Sequence, residues 1–236
     1  MARFRAPVAD SKKIMFLEKS LEMASYDEST GKKYLSPNTV LKITALIPEY
    51  KISLGHKQNV FKKKMGAVGQ KDKALAKLKL ICCDFWEVLK RRTVRMGHST
   101  SIFILFGLPT SGKVTFPTTK SNWIPVAEHI IYGEGELVKQ GYPPMTNPAI
   151  DELTALCEIA AEKYGTVQSL EGDLVRALEV VKKIRKKADK LIWEIMQELR
   201  FGMRHNTKSN QRRVMKHYGA EFEYYPKKNT EEDSDI

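Results

Sequence analysis

Residues 170–195 read LEGDLVRALEVVKKIRKKADKLIWEI, with Leu170, Leu174, Ala177, Val181, Ile184, Ala188, Leu191 and Ile195 three or four apart and Lys or Arg filling the positions between. That spacing places every apolar side chain on one stripe of an α-helix, the pattern of a helix that packs along another helix. Upstream, from Pro148, the residues Ile150, Leu153, Cys157, Ala160, Tyr164 and Val167 keep the same rhythm, and the phase runs almost unbroken into Leu174. An unbroken phase favours one rod of roughly 80 Å at about 1.5 Å per residue. Compactness favours instead an antiparallel pair turning near Gly165–Asp173. The rod carries slightly more weight because the segment contains no strong turn dipeptide.

Working outward, the end of this helix repeats a phrase found in the first half. Trp86-Glu87-Val88-Leu89, then Met96 and His98, is matched by Trp193-Glu194-Ile195-Met196, then Met203 and His205, at one offset of 107 residues. Ser36-Pro37 and Ile43-Thr44-Ala45-Leu46 likewise parallel Asn147-Pro148 and Leu153-Thr154-Ala155-Leu156 at an offset of 110. Self-similarity at a fixed spacing points to a duplicated chain. The expected fold is therefore all-α, an internally duplicated pseudo-twofold bundle of long antiparallel helices. Its expected divisions are a first repeat over 1–109, a connecting loop over 110–122, a second repeat over 123–226 and a disordered acidic tail over 227–236. On this reading Trp86 and Trp193 occupy like core environments.

Other helices follow from the same pattern. Ile14, Leu17, Leu21 and Ala24 form a stripe behind Asp10 or Ser11, and Ser36-Pro37 opens a second helix with a capping hydroxyl and a proline at its first position. Pro48 predicts a bend. A third segment runs from Lys71 to about Met96 on Leu75, Leu78, Cys82, Phe85 and Leu89, and Gly55, Gly66 and Gly69 permit a turn before it. Two stretches break the helical pattern. Ile102-Phe103-Ile104-Leu105-Phe106 is a continuous apolar run closed by Gly107 and Pro109, and Glu221-Phe222-Glu223-Tyr224 alternates. Both read as short extended or β arms. An arm with an unpaired edge is a template for strand addition, so Ile102, Ile104, Phe106, Phe222, Tyr224 and Tyr225 are the candidate contacts for self-association or a protein partner.

The charge is +12, from 40 Lys and Arg against 28 Asp and Glu, and it is uneven. Lys57–Arg95 holds 12 basic and 3 acidic residues, Arg200–Lys216 holds 6 basic and none acidic, and Tyr218–Ile236 holds 6 acidic and 2 basic. Solvated helix faces account for such runs, and so does a surface that contacts phosphates. Lys62, Lys63, Lys64, Arg91, Arg92, Arg212 and Arg213 are the candidate anion contacts. The basic segments 57–95 and 176–216 supply the nucleic-acid alternative.

Several chemistries lack their residues. Gly107-Leu108-Pro109-Thr110-Ser111-Gly112-Lys113 imitates a phosphate-binding loop, but Val114 stands where a hydroxyl must ligate magnesium, and Phe116-Pro117 disfavours the helix that should follow. Cys82, Cys83 and Cys157 form no metal or redox spacing, and the histidines include no HxxxH. Tyr132-Gly133-Glu134-Gly135-Glu136 is a weak dinucleotide lookalike, read as irregular chain within a helical segment. No catalytic, cofactor-binding or metal-binding residue is assigned, and no cofactor is expected. The first 19 residues lack a signal-peptide core, and no stretch reaches the roughly 18 apolar residues of a membrane span, so a cytoplasmic protein is expected. The functional expectation is a non-enzymatic structural or protein-interaction protein, self-assembling or bound to another protein. The alternative is a cytoplasmic nucleic-acid-binding protein that uses the basic faces.

Overall fold

The computed structural model describes residues 2–224, so Tyr225 and the acidic tail over 227–236 lie outside the described residues. In chain order the elements are β1 (Ala2–Arg5), α1 (Asp10–Ser29), α2 (Pro37–Arg95), a 3-10 helix (Thr100–Phe106), a 3-10 turn (Lys120–Asn122), α3 (Trp123–Lys139), α4 (Ile150–Gly202), α5 (Lys208–His217) and β2 (Glu221–Tyr224). The fold is all-α with one two-stranded sheet. The segment from Pro148 onward forms a single helix, α4, and α2 is also unbroken. Gly55, Gly66 and Gly69 stay helical inside α2, and so does Pro48. Buried Leu46 and Tyr50 hold the helix on either side of the proline.

The chain forms two compact units. Unit 1 takes the described residues up to Gln58 and those from Arg176 onward, and unit 2 takes Asn59–Val175. Each long helix contributes to both units, and the expected boundaries at 109 and 123 both fall inside unit 2.

In unit 1, Phe16 and Leu17 of α1, Ile43, Leu46 and Tyr50 of α2, and Ile184, Ala188, Leu191, Ile195 and Leu199 of α4 form one core. α2 and α4 run antiparallel here, with Lys42 bonded to Glu194 and Lys187 to Glu49, each at 3.0 Å. Ser36 caps α2 as expected, its Oγ accepting the Thr39 N–H at 3.2 Å. Glu198 of α4 then fixes that cap, accepting from the Ser36 N–H at 2.8 Å and the Thr39 hydroxyl at 2.7 Å. α1 begins at Asp10, so its cap is Ala9, one residue before Asp10 and two before Ser11, and Asp10 lies in the first turn. β2 is the strand expected near 221–224. Its partner, β1, has no periodic signal long enough to foresee it. The two pair antiparallel with Phe4 opposite Phe222, and the Phe4 ring lies 6.2 Å from both Phe222 and Phe16.

In unit 2, Leu75, Leu78, Cys82, Phe85, Trp86 and Leu89 of α2 pack with Trp123, Ala127, Ile130 and Leu137 of α3 and Leu153, Cys157 and Ala160 of α4. The expected arm at Ile102–Phe106 is corrected: it is part of the 3-10 helix, begun by Ser99, whose side chain accepts the Ser101 N–H. A period near three turns Phe103 and Phe106 inward together, Ile102 is buried beside them, and Ile104 is left outside. A continuous apolar run fits a buried strand or a buried helical turn equally well, and here the neighbouring α3 decides. α3 approaches so closely that a Cβ on Gly133 would lie 2.6 Å from the Leu105 carbonyl oxygen. Gly133 and Gly135 are both helical in α3, so the Tyr132–Glu136 stretch is regular helix and not irregular chain.

The repeated phrase does not give matching environments. Trp86 is 3% exposed and Trp193 is 62% exposed, while Met96 is 53% exposed and Met203 is 1% exposed. The buried series in the two long helices coincide one residue away from the offset of the phrase, as Leu75/Val181, Leu78/Ile184, Cys82/Ala188, Phe85/Leu191, Trp86/Ile192 and Leu89/Ile195. One residue is about 100° around a helix, enough to carry Trp193 from the core to solvent. Further along, the pairs Phe106-Gly107 and Tyr218-Gly219 share a local geometry. Each buried aromatic precedes a glycine of positive φ, and the Leu108 and Ala220 N–H groups reach back to the Phe103 and Met215 carbonyls at 3.0 Å.

Candidate nucleic-acid interface

The C-terminal stretch of unit 1 gathers cations that no carboxylate among the described residues neutralises. α4 ends at Gly202, and Thr207 starts α5 by accepting the Asn210 N–H on its hydroxyl at 3.3 Å. The turn between them is tied down by Gln211, whose side-chain amide donates to the Met203 and Asn206 carbonyls at 2.8 and 3.1 Å. Met203, Met215 and Tyr218 are buried, which fixes the inward side of α5. Lys208, Arg213, Lys216 and His217 are then exposed and Arg212 half-exposed, with exposed Arg200 and Arg204 just upstream. Among the described residues, none of these side chains forms an ion pair. The nearby acids are committed elsewhere, Glu221 to Lys12 and Glu223 to Arg5, each at 3.2 Å.

The anchor beneath the face is a buried polar pair. The Tyr218 hydroxyl donates to the Asp27 carboxylate, and the Ser20 hydroxyl donates to the Tyr218 carbonyl at 3.1 Å. Burial first, and then Asp27, push the Tyr218 phenol far above its ordinary pKa, so it remains a neutral donor. The first turn of α5 has no acidic residue and carries Lys208. The positive end of the helix dipole adds to the lysine there instead of being offset, which raises the local positive potential.

Two aromatic rings sit among the cations. Phe201 is 70% exposed with the Arg204 guanidinium carbon 4.6 Å from its ring centre. Tyr224 is 64% exposed with the Lys216 ammonium 5.7 Å from its ring centre.

The remaining candidates lie apart from this face. Arg212 and Arg213 belong to it, whereas Lys62, Lys63, Lys64, Arg91 and Arg92 lie in unit 2. Lys62 and Lys63 are exposed, and Lys64 is paired with Glu171 at 2.6 Å. The Arg91 Nε donates to the Glu87 carbonyl at 3.3 Å. Arg92 is corrected as a free anion contact: its guanidinium donates to buried Glu134 at 3.3 Å and to the Pro143 carbonyl. Among the proposed protein contacts, Ile102 and Phe106 are buried in unit 2, Ile104 is exposed there, and Phe222 is half-buried against Phe4. Sequence reading missed Arg200, Arg204, Lys208 and Lys216 as individual contacts. Their signal was a basic residue at every fourth position from Arg200 to Lys216.

The loop from Gly107 to Lys113 follows a 3-10 helix, and the chain after Lys113 is irregular as far as Thr119. It thus has neither the strand nor the helix dipole that a phosphate loop needs. Instead Gly112, at φ 66°, lies against Phe103, where an added Cβ would come 3.1 Å from the ring. Burial raises all three thiols, Cys82 to about 12, which disfavours the reactive thiolate. Among the described residues no group of three His, Cys, Asp or Glu is placed to hold a metal ion, and no helix is long and apolar enough to cross a membrane. No family model, curated protein or solved structure matches this chain.

Proposed function

We propose that the protein binds nucleic acid, without transforming it, through the basic face formed by the end of α4 and by α5. The observation that carries this reading is the group Arg200, Arg204, Lys208, Arg212, Arg213 and Lys216, outside the core on a fixed scaffold and without a carboxylate partner among the described residues. Such a group attracts phosphates and releases their counterions on binding, so affinity falls steeply as salt rises. Of the two functional expectations the fold favours this one, because Ile102–Phe106 is folded into unit 2 and β2 is already paired with β1.

Fluorescence anisotropy with labelled oligonucleotides tests the proposal. Arg212→Glu with Arg213→Glu is expected to weaken binding at least about tenfold and to flatten its salt dependence. Wild-type protein that binds no oligonucleotide at low salt, or a double variant that binds as wild type does, overturns it.

Self-association keeps one specific support. Among the described residues, β1 and β2 each have one strand neighbour, so each has an outer edge without a further strand. Sedimentation as a monomer at high concentration removes that reading.

A further inference from the structure

Resting on the basic-face reading, we infer that the ligand is single-stranded, with Phe201 and Tyr224 as platforms on which unpaired bases stack. A large aromatic side chain left in water forfeits the stabilisation its burial would bring, and this face exposes two of them, each beside a cation. The other exposed rings, Tyr26, Phe61, Phe116, Tyr132 and Trp193, have no cation over them among the described residues. Among the described residues the coincidence of an exposed ring with a cation is thus particular to this face, since the other such pair, Lys79 with Trp123, involves a buried ring. In a duplex the π-faces of the bases are stacked inside, and a protein meets phosphates, sugars and base edges. In a single strand both the π-face and the adjoining phosphate are open. A ring next to a guanidinium or ammonium group matches that pair of features, the base on the ring and the phosphate on the cation. The expected specificity is for strandedness, with little dependence on base identity, since every base has a π-face.

The test compares three labelled probes of equal phosphate number by anisotropy: a single-stranded oligothymidylate, a hairpin duplex and a single strand of abasic sites. The single strand is expected to bind more tightly than the abasic strand by about 5- to 150-fold per stacked base. Phe201→Leu with Tyr224→Leu is expected to erase that difference while leaving abasic binding unchanged. Tyr224→Phe, which keeps a ring, is expected to bind as wild type. Arg212→Glu with Arg213→Glu lowers binding of all three probes. If duplex and abasic strand bind as tightly as the single strand, or the double leucine variant keeps its preference, the stacking inference falls and the basic-face reading stands. If no probe binds in a salt-dependent way, both fall. Both exposed rings can be changed without opening the core, and circular dichroism of each variant checks that the helices persist.

Discussion

Asp10 and Arg185 meet in unit 1 as a two-point ion pair, with Nε donating to Oδ1 at 2.7 Å and Nη2 to Oδ2 at 2.6 Å. The Tyr50 hydroxyl donates to the same Oδ1 at 2.7 Å, so one carboxylate at the start of α1 holds α2 and α4. The Arg185 hydrogen bonds, with help from Tyr50 and against the cost of burial, lower the Asp10 carboxyl from 3.8 to about 2. A folded-state pKa below the unfolded one contributes stability above the unfolded value and loses it as pH falls through the folded one. Asp10→Asn is therefore expected to cost about 1–2 kcal/mol at neutral pH, reduced from the full linkage value because Arg185 is partly exposed. The difference between variant and wild type should shrink as pH falls from about 4 to about 2. Urea unfolding of both proteins at the two ends of that range measures it.

Gly133 and Gly66 separate packing from helix propensity. Both are helical, but a Cβ on Gly133 would lie 2.6 Å from the Leu105 oxygen, whereas a Cβ on Gly66 would meet nothing within 4 Å. Gly66→Ala is expected to stabilise by about 0.5–1 kcal/mol. Gly133→Ala forces α3 and the 3-10 helix apart and is expected to destabilise by about 1–3 kcal/mol despite the same propensity gain. Thermal unfolding of the two variants should move in opposite directions.

The two tryptophans of the repeated phrase are expected to differ as sharply in energy as in burial. Trp86→Ala opens the unit 2 core, where the ring lies 6.0 Å from Trp123, and should cost about 3–5 kcal/mol. Trp193→Ala, on an exposed face of α4, should change stability by no more than about 0.5 kcal/mol. Denaturant unfolding followed by far-ultraviolet circular dichroism reports both. Near-equal losses would show that exposure misjudges Trp193.

Glu134 is almost wholly buried, and one of its oxygens accepts from Arg92 at 3.3 Å and from the Met145 N–H at 2.6 Å. Glu134→Ala strands the Arg92 guanidinium, whose side chain is only 11% exposed, and is expected to cost about 3–5 kcal/mol. Arg92→Met with Glu134→Leu removes both charges and should recover most of that loss. A double variant no more stable than Glu134→Ala would show that the pair does more than satisfy itself.

The helical architecture was legible because periodicity survives in the sequence wherever a helix buries one side. Leu170 through Ile195 predicted a helix, and the Ser36 cap and Pro37 marked where another begins. Helix identity was harder to read than helix existence. Gly55, Gly66 and Gly69 weaken α2 without ending it, because packing of Val60, Leu75 and Leu78 outweighs about 1 kcal/mol per glycine. The Trp86/Trp193 match misled because residue identity does not record which way a side chain points, and a one-residue change of phase reverses it. The pairing of half-buried Arg92 was invisible for a different reason: its partner Glu134 lies on another helix, 42 residues away. The basic character of Arg200–Lys216 was plain. Its exposure was not, because only the inward anchors Met203, Met215 and Tyr218 say which side of α5 faces water.

Unit 1 is completed by chain from both ends of the described sequence, with all of unit 2 intervening, and this sets an order of events on the ribosome. Phe16, Leu17, Ile43 and Tyr50 are made early, but the α4 residues that cover them, from Ile184 to Leu199, come more than a hundred residues later. At about 5–20 residues per second, the early apolar stretch waits on the order of 10 s for its cover. Unit 2, made without interruption, can collapse first. The nascent N-terminal segment is therefore the part of this protein with most need of a chaperone, and a stall in translation before Arg176 would leave it uncovered.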